Sequence, residues 1–314
     1  MTGLLGSLPV PLLLGVNVVL WGASFNVTDV ALAHTSPGVV AISRPLIAAA
    51  ILLAAMPFAG FALPRTRRAW LYAAGVGLGS TTIALIGMVI GTEYAGPAVA
   101  AVLLNAAPFF AVLMARIAVD EKIRLMRGVG LVIGFAGVVV IVLSDPGSAG
   151  DGATLAFGVG MALVGAIGYA GSSVLVRWLS LNHQLSEFWG FTTAQFLCGA
   201  LFLIPFAALY GDPGATDWSS GGLWASLAFL GLGSQLVAVV LFFVALARWP
   251  SARVMAWSFL PPVVAAAIEI ARGNVPGALT LAGMAIAVIG VAIVNHPRAE
   301  DVPVPTIDPE EHIA

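Results

Sequence analysis

Apolar runs of about 20 residues follow one another along nearly the whole chain, and a run of that length crosses the hydrocarbon core of a bilayer as one helix. Apolar residues make up 60% of the sequence and charged residues only 9%, which leaves too little polar surface for a water-soluble fold. The sequence therefore predicts an all-α integral membrane protein. Charges, prolines and glycines between the runs place ten transmembrane helices at residues 11–31, 38–58, 70–90, 96–116, 127–144, 155–177, 188–210, 222–246, 252–271 and 277–296.

The second half of the chain repeats the first at a distance of 153 residues without a gap. The matched pairs are Pro108 with Pro261, Gly130 with Gly283, Gly137 with Gly290, and Asn105 with Ser258. Each half holds five predicted spans, and this odd number makes the second half enter the bilayer from the opposite side. We therefore expect two inverted five-helix repeats, at residues 1–148 and 149–296. A proline-rich, acidic tail at 297–314 is expected to be disordered.

The basic residues predict the orientation of these spans. With a cytoplasmic N-terminus, eleven of the 13 Lys and Arg residues face the cytoplasm, Arg272 alone faces outward, and Arg44 lies within the second span. Basic residues concentrate on the cytoplasmic side of membrane proteins. The pattern predicts a multi-pass protein of the cell (inner) membrane with both termini in the cytoplasm.

Several of these features together resemble a known family. They are Trp21-Gly-Ala-Ser-Phe in the first span, Arg44 early in the second, Pro108 within the fourth, and the turn Asp120-Glu121-Lys122 before Gly130 to Gly137. Their order and spacing resemble the EamA type of the drug/metabolite transporter superfamily. Asn274 stands where that family usually has a glutamate matching Glu121. The resemblance implies a secondary transporter, often an exporter of amino acids or other small metabolites, with a central cavity between its halves.

Polar and aromatic side chains in the spans predict where a solute binds. Asn17, Trp21 and Ser24 share one face of the first span. Pro108 and Pro261 interrupt helical hydrogen bonding near the middle of the fourth and ninth spans, where such breaks build binding sites in inverted-repeat carriers. The predicted substrate-binding residues are Asn17, Trp21, Ser24, Asn105, Pro108, Tyr169, Ser172, Trp257, Ser258 and Pro261. The alternative for the polar members is hydrogen bonding between helices without solute contact.

Three charges fall within or beside the predicted spans. Asp29 and Arg44 lie at equal distances from the turn between the first two spans, so we expect them to pair, either to fix the outer end of that hairpin or to act as a gate. Glu269 precedes Arg272 by three residues and suits a helix-face ion pair. Glu269 is also the candidate for a carboxylate that couples transport to protons.

Other functional classes lack their signatures in the sequence. The sequence contains no HExxH, no GxSxG, no pair of intramembrane aspartates and no GxxxxGK[ST] loop. We therefore predict no enzymatic activity, no metal site, no cofactor and no direct use of ATP. Composition gives no sign of nucleic-acid binding. The predicted partners are the lipid bilayer, a small, neutral and partly apolar solute such as an amino acid, a nucleoside or a lipophilic drug, and a proton if transport is coupled. Gly130 and Gly134 have GxxxG spacing, which suits close helix packing within one chain or between two copies of a homodimer. The alternatives are a multidrug or lipophilic-compound efflux carrier, a channel, a membrane-embedded enzyme or a scaffold.

Overall fold

The computed structural model describes residues 7–95, 103–120, 125–143, 152–184, 187–271 and 277–295, and within these residues it contains helices and connecting turns but no strand. Two of the segments, π1 and π2, are π-helical, so their backbone hydrogen bonds span five residues instead of the four of an α-helix. The segments are α1 Val10–Leu32, α2 Pro37–Ala59, α3 Arg67–Val76, π1 Gly77–Ile83, α4 Ala84–Ala95, α5 Ala107–Ala118, α6 Leu125–Leu143, α7 Gly152–Leu181, α8 Phe188–Tyr210, α9 Gly221–Ala228, π2 Phe229–Val237, α10 Ala238–Arg248, α11 Ser251–Ala256, α12 Pro261–Ala271 and α13 Ala278–Asn295.

Seven helices of the described residues are long and apolar enough to cross a membrane. Two of them are continuous through a π-helical segment, at Arg67–Gly91 and Gly221–Arg248. The helices α5 and α6 are apolar but count as shorter. The protein is therefore all-helical with several membrane-spanning helices, whereas the ten spans, the inverted repeats and the division at residue 148 stay predictions. The predicted tail at 297–314 lies outside the described residues.

The helical breaks before two prolines follow from proline chemistry. Proline has no N–H to donate and its ring clashes with the preceding turn. Pro261 is the first residue of α12, after a short 3₁₀ turn at Trp257–Phe259. Pro108 lies in the first turn of α5, after a turn at 105–106. Both predicted interruptions are thus present in the structure.

The helices α6 and α13 pack face to face through glycines. A Cβ atom added at Gly137 would lie 2.7 Å from Gly283 O, and one added at Gly290 would lie 2.8 Å from Gly130 O. Backbone atoms approach this closely only where both side chains are absent or small. These are the glycines matched by the 153-residue repeat, and they pack within one chain.

The helices α2 and α8 each contain 23 residues, and each contacts the π-helical segment of the other half of the chain. Arg44 Nη2 donates to Ser234 Oγ in π2 at 2.9 Å. Gln195 Nε2 donates to Thr81 Oγ1 in π1 at 3.1 Å. Arg44 and Gln195 are both the eighth residue of their helices, so equivalent positions make equivalent contacts.

One loop at 211–220 is tied to the turn between α1 and α2. Thr35 and Thr216 share a hydrogen bond of 2.7 Å between their hydroxyls, and Asp217 N donates to His34 O at 2.9 Å. Asp217 is exposed, and its pKa lies below the usual range because the Ser219 hydroxyl and backbone donate to it and His34 lies nearby. These contacts join loops from the two halves of the chain.

Candidate functional site

A cavity of about 650 Å³ lies between elements from both halves of the chain. Its volume is within the range of about 300–1,000 Å³ that is usual for small-molecule sites. Fifteen of its 22 lining residues are apolar or aromatic, and seven are polar or charged. The lining residues are Trp21, Ser24, Thr28, Leu32, Pro37, Val40, Ala41, Arg44, Ser80, Ala84, Leu85, Met88, Val89, Leu104, Asn105, Tyr169, Gln235, Val239, Phe242, Phe243, Ser258 and Pro261.

Three aromatic rings form one wall of the cavity. The centroid of Trp21 lies 5.9 Å from that of Tyr169 in an edge-to-face arrangement and 5.2 Å from that of Phe242. Tyr169 and Phe242 stack at 5.8 Å. Trp21 Nε1 donates to Ser234 O at 3.1 Å, which fixes the orientation of the indole. We call Trp21, Tyr169 and Phe242 the aromatic wall; it offers a rigid apolar surface to a solute.

Arg44 is a charged member of the cavity lining. It is buried, with 7% of its surface exposed, and α2 directs it towards π2, where its Nη2 meets the Ser234 hydroxyl. Its Nε is buried and has no hydrogen-bond partner among the described residues. Ser234 therefore holds both Arg44, through its hydroxyl, and Trp21, through its carbonyl, so the cation and the aromatic wall are neighbours.

Two hydroxyls face one another in the same cavity. Tyr169 OH and Ser258 Oγ are buried, and neither has a partner within ordinary hydrogen-bond geometry among the described residues, although they lie close enough to interact. Ser258 belongs to the 3₁₀ turn before Pro261, and Asn105 belongs to the turn before Pro108. The two helical breaks thus deliver polar side chains to the cavity.

The structure brings together most of the predicted site residues. Those that line the cavity are Trp21, Ser24, Asn105, Tyr169, Ser258, Pro261 and Arg44. Ser24 also donates to Trp21 O at 2.7 Å within its own helix. The side chains of Asp29 and Glu269 lie outside the described residues, so the pairing of Asp29 with Arg44 and the coupling role of Glu269 stay predictions.

Four predicted residues lie near the cavity but outside its lining. Asn17 Nδ2 donates to Ala238 O at 2.9 Å, which links α1 to α10. Ser172 donates to Tyr169 O at 2.8 Å within α7. Pro108 is buried, and Trp257 is partly buried with no hydrogen-bond partner for its Nε1 among the described residues. Hydrogen bonding between or within helices therefore accounts for Asn17 and Ser172.

Phe242 and Phe243 line the cavity although no local sequence pattern marks them. A usable signal lies close by, because Gly-Leu-Gly-Ser occurs at 77–80 and again at 231–234. The two copies fall in π1 and π2. A π-helical turn within an α-helix is frequently found at functional sites, so this repeated motif marks the helices from which Ser80, Gln235 and Phe242 reach the cavity.

Comparison with known proteins agrees with this architecture. Residues 9–143 and residues 156–296 each match the EamA-like transporter family. The chain belongs to the EamA-like transporter family. It is thus a multi-pass membrane protein of a transporter family. Among the described residues, no group of three or more His, Cys, Asp or Glu side chains could hold a metal ion.

This EamA-like transporter is similar to proteins from distant organisms. It is 27% identical to an uncharacterized transporter of Archaeoglobus fulgidus over 89% of this chain and 95% of that protein. It is also 27% identical to a probable terminal-alkyne amino-acid exporter of Streptantibioticus cattleyicolor, over 89% of this chain and 91% of that protein. A crystal structure at 20% identity superposes with a TM-score of 0.76 over 91% of this chain and 96% of the other, which shows a shared fold.

Proposed function

We propose that this EamA-like transporter is a secondary carrier that exports small metabolites such as amino acids across the cell (inner) membrane by alternating access. The observation that carries the proposal is the cavity of about 650 Å³ lined by both halves of the chain. A site between two halves becomes open to one side of the membrane or the other when the halves rock against each other. The distribution of basic residues supports a cytoplasmic location for both termini.

The contacts between the halves support ten spans in two inverted five-helix repeats. Arg44 in α2 meets π2, and the equivalent Gln195 in α8 meets π1. The segments π1 and π2 begin about 152 residues apart, close to the 153-residue spacing of the two prolines. Each half therefore contributes a helix that contacts the π-helical segment of the other half.

The lining supports a solute that is partly apolar and of modest size. The aromatic wall suits an apolar body, while Asn105, Ser258 and Gln235 offer a few neutral hydrogen-bonding groups. An amino acid or a derivative of one combines these properties, and a relative named as a probable amino-acid exporter supports both the substrate class and the direction. The solute gradient, exchange or a coupled proton supplies the energy.

Reconstitution into vesicles tests this proposal. Vesicles that contain the purified protein are loaded with an unlabelled solute, and the uptake of the labelled form of that solute by counterflow is measured. The solutes are amino acids, nucleosides, sugars and lipophilic amines. Phe242→Ala, which removes one ring of the aromatic wall, should slow counterflow at least about tenfold, because a buried ring contributes several kcal/mol of contact. Phe58→Ala is the matched control, because Phe58 is 91% exposed and absent from the cavity lining.

The outcome distinguishes the alternatives. Counterflow of amino acids that depends on Phe242 and not on Phe58 supports the proposed substrate class. Counterflow of lipophilic amines alone would replace it with a drug-efflux function. If no solute moves faster than in protein-free vesicles, the carrier proposal is wrong.

A further inference from the structure

The burial of Arg44 beside the cavity is not explained by the fold alone. A guanidinium stays charged and presents five N–H donors, and a buried donor without a partner destabilises the structure. Among the described residues, the Nη2 of Arg44 has Ser234 Oγ as its acceptor and the Nε has none. A charge held inside a membrane protein under these conditions usually marks a functional site.

The equivalent residue of the other half shows what helix packing requires at this position. Gln195, the eighth residue of α8 as Arg44 is of α2, makes its contact with Thr81 through a neutral amide. A neutral donor is therefore sufficient to join the second helix of one half to the π-helical segment of the other. The positive charge of Arg44 is therefore not needed for this contact between the helices.

A second buried arginine shows how a structural guanidinium is satisfied in this protein. Arg177 has 5% of its surface exposed, and its Nη1 donates to Leu246 O and Ala247 O, both at 3.1 Å. These carbonyls belong to the last turn of α10, so Arg177 caps that helix. Arg177 is absent from the cavity lining, whereas Arg44 is part of it.

We infer that Arg44 binds the carboxylate of the transported solute, while the aromatic wall holds the solute's apolar part. The inference rests on the proposed function, since it assigns a ligand to the same cavity. Guanidinium and carboxylate match in geometry and form charge-assisted hydrogen bonds. Arg44 is the one cation among the described lining residues, which suits a singly charged carboxylate better than a phosphate.

The arrangement also places the charged and the apolar parts of the proposed solute site next to each other. Ser234 accepts from Arg44 through Oγ and from Trp21 through its carbonyl, so the guanidinium and the indole are held by one residue. A solute that carries its carboxylate close to an aromatic or branched aliphatic group suits this arrangement.

Binding of matched acids and amides to the purified full-length protein tests the inference. The pairs are phenylalanine with phenylalaninamide, leucine with leucinamide, and hydrocinnamic acid with its amide, measured by calorimetry in detergent. We expect each acid to bind about tenfold or more tightly than its amide, the usual scale of a charge-assisted hydrogen bond. Arg44→Gln should remove this preference, and Arg44→Lys should retain part of it.

The variants are chosen so that the fold is preserved. Gln at position 44 reproduces the pair that Gln195 already makes with Thr81, and thermal unfolding of Arg44→Gln should lie close to that of the parent. Arg65→Gln is the matched control, because it removes the same charge from an exposed arginine that is absent from the cavity lining. Arg65→Gln should keep the full preference for acids.

Each result decides between the inference and its alternatives. Equal binding of acids and amides by the parent, with both transported in vesicles, would overturn the role of Arg44 and leave the carrier function standing. An equal loss for acids and amides in Arg44→Gln would also overturn it and indicate instead a pairing of Arg44 with Asp29. If none of these solutes binds and no solute moves in vesicles, the inference and the proposed function are both wrong.

Discussion

Gly137→Ala should destabilise the protein by forcing α6 and α13 apart. The added Cβ would lie 2.7 Å from Gly283 O and 2.8 Å from Ala287 Cα, about 1 Å inside the usual contact distance between carbon atoms of about 3.5–4.0 Å. Both contacts are backbone atoms, so no side chain can rotate away. The helices must separate, and the contacts along their interface loosen.

The expected magnitude follows from two opposing effects. Overpacking a close interface costs about 1–3 kcal/mol, and the backbone contacts at Gly137 place it at the upper end. Replacing glycine by alanine in a helix stabilises by about 1 kcal/mol. The net loss of unfolding free energy should be about 2 kcal/mol.

Gly128→Ala is the matched control for this prediction. Gly128 lies in the same helix, and an added Cβ there meets no described atom within 4 Å. It should gain up to about 1 kcal/mol from helix propensity alone, so the two substitutions differ by about 3 kcal/mol. Equilibrium unfolding by SDS in mixed micelles, followed by tryptophan fluorescence, measures the difference. If Gly137→Ala resists SDS as well as Gly128→Ala does, the described packing of α6 on α13 is wrong.

The remaining predictions concern the site, the residues that support it and the topology. Asn105→Ala alters the cavity lining and should slow counterflow with little change in thermal stability. Trp257 packs in two hydrophobic clusters, so Trp257→Ala should lower the unfolding free energy by about 3 kcal/mol. Thr81→Val should cost about 1–3 kcal/mol because it leaves the Gln195 amide without its acceptor; adding Gln195→Leu should restore most of this stability in the same SDS assay. A reporter enzyme that is active only in the cytoplasm should be active when fused to the C-terminus, and inactivity would reverse the predicted orientation.

Features that depend on local chemistry could be predicted from the sequence. Proline removes a backbone donor, so breaks before Pro108 and Pro261 could be predicted from residue type. Residue type alone does not decide the outcome, because Pro45 and Pro205 lie within the continuous helices α2 and α8. Paired glycines at equivalent positions indicated a close helix contact, and Gly137 and Gly290 lie in it. The membrane class followed from composition.

Features that depend on how helices rotate against each other could not be predicted in the same way. Asn17 and Trp21 share a helix face, yet Asn17 bonds to Ala238 O while Trp21 lines the cavity. Phe242 lies in an unbroken run of apolar residues, so the sequence there does not show which side chains face the cavity. Only the packing of α1, α7 and α10 selects it for the aromatic wall.

Arg44 and Gln195 hold the same position in helices of equal length, but only Arg44 carries a charge. A carrier built from two identical inverted halves would have two end states of equal free energy, since exchanging the halves converts one state into the other. The charge of Arg44, which Gln195 does not match, would make the two free energies unequal. Their difference would then depend on the voltage across the membrane. A charge that crosses a full potential of 100 mV changes in energy by about 2.3 kcal/mol, so a movement of Arg44 through a tenth of that potential changes the ratio of the two states about 1.5-fold. In the proposed carrier we therefore expect the empty protein to favour one side of the membrane, and we expect the electric field across the membrane to change the strength of that preference.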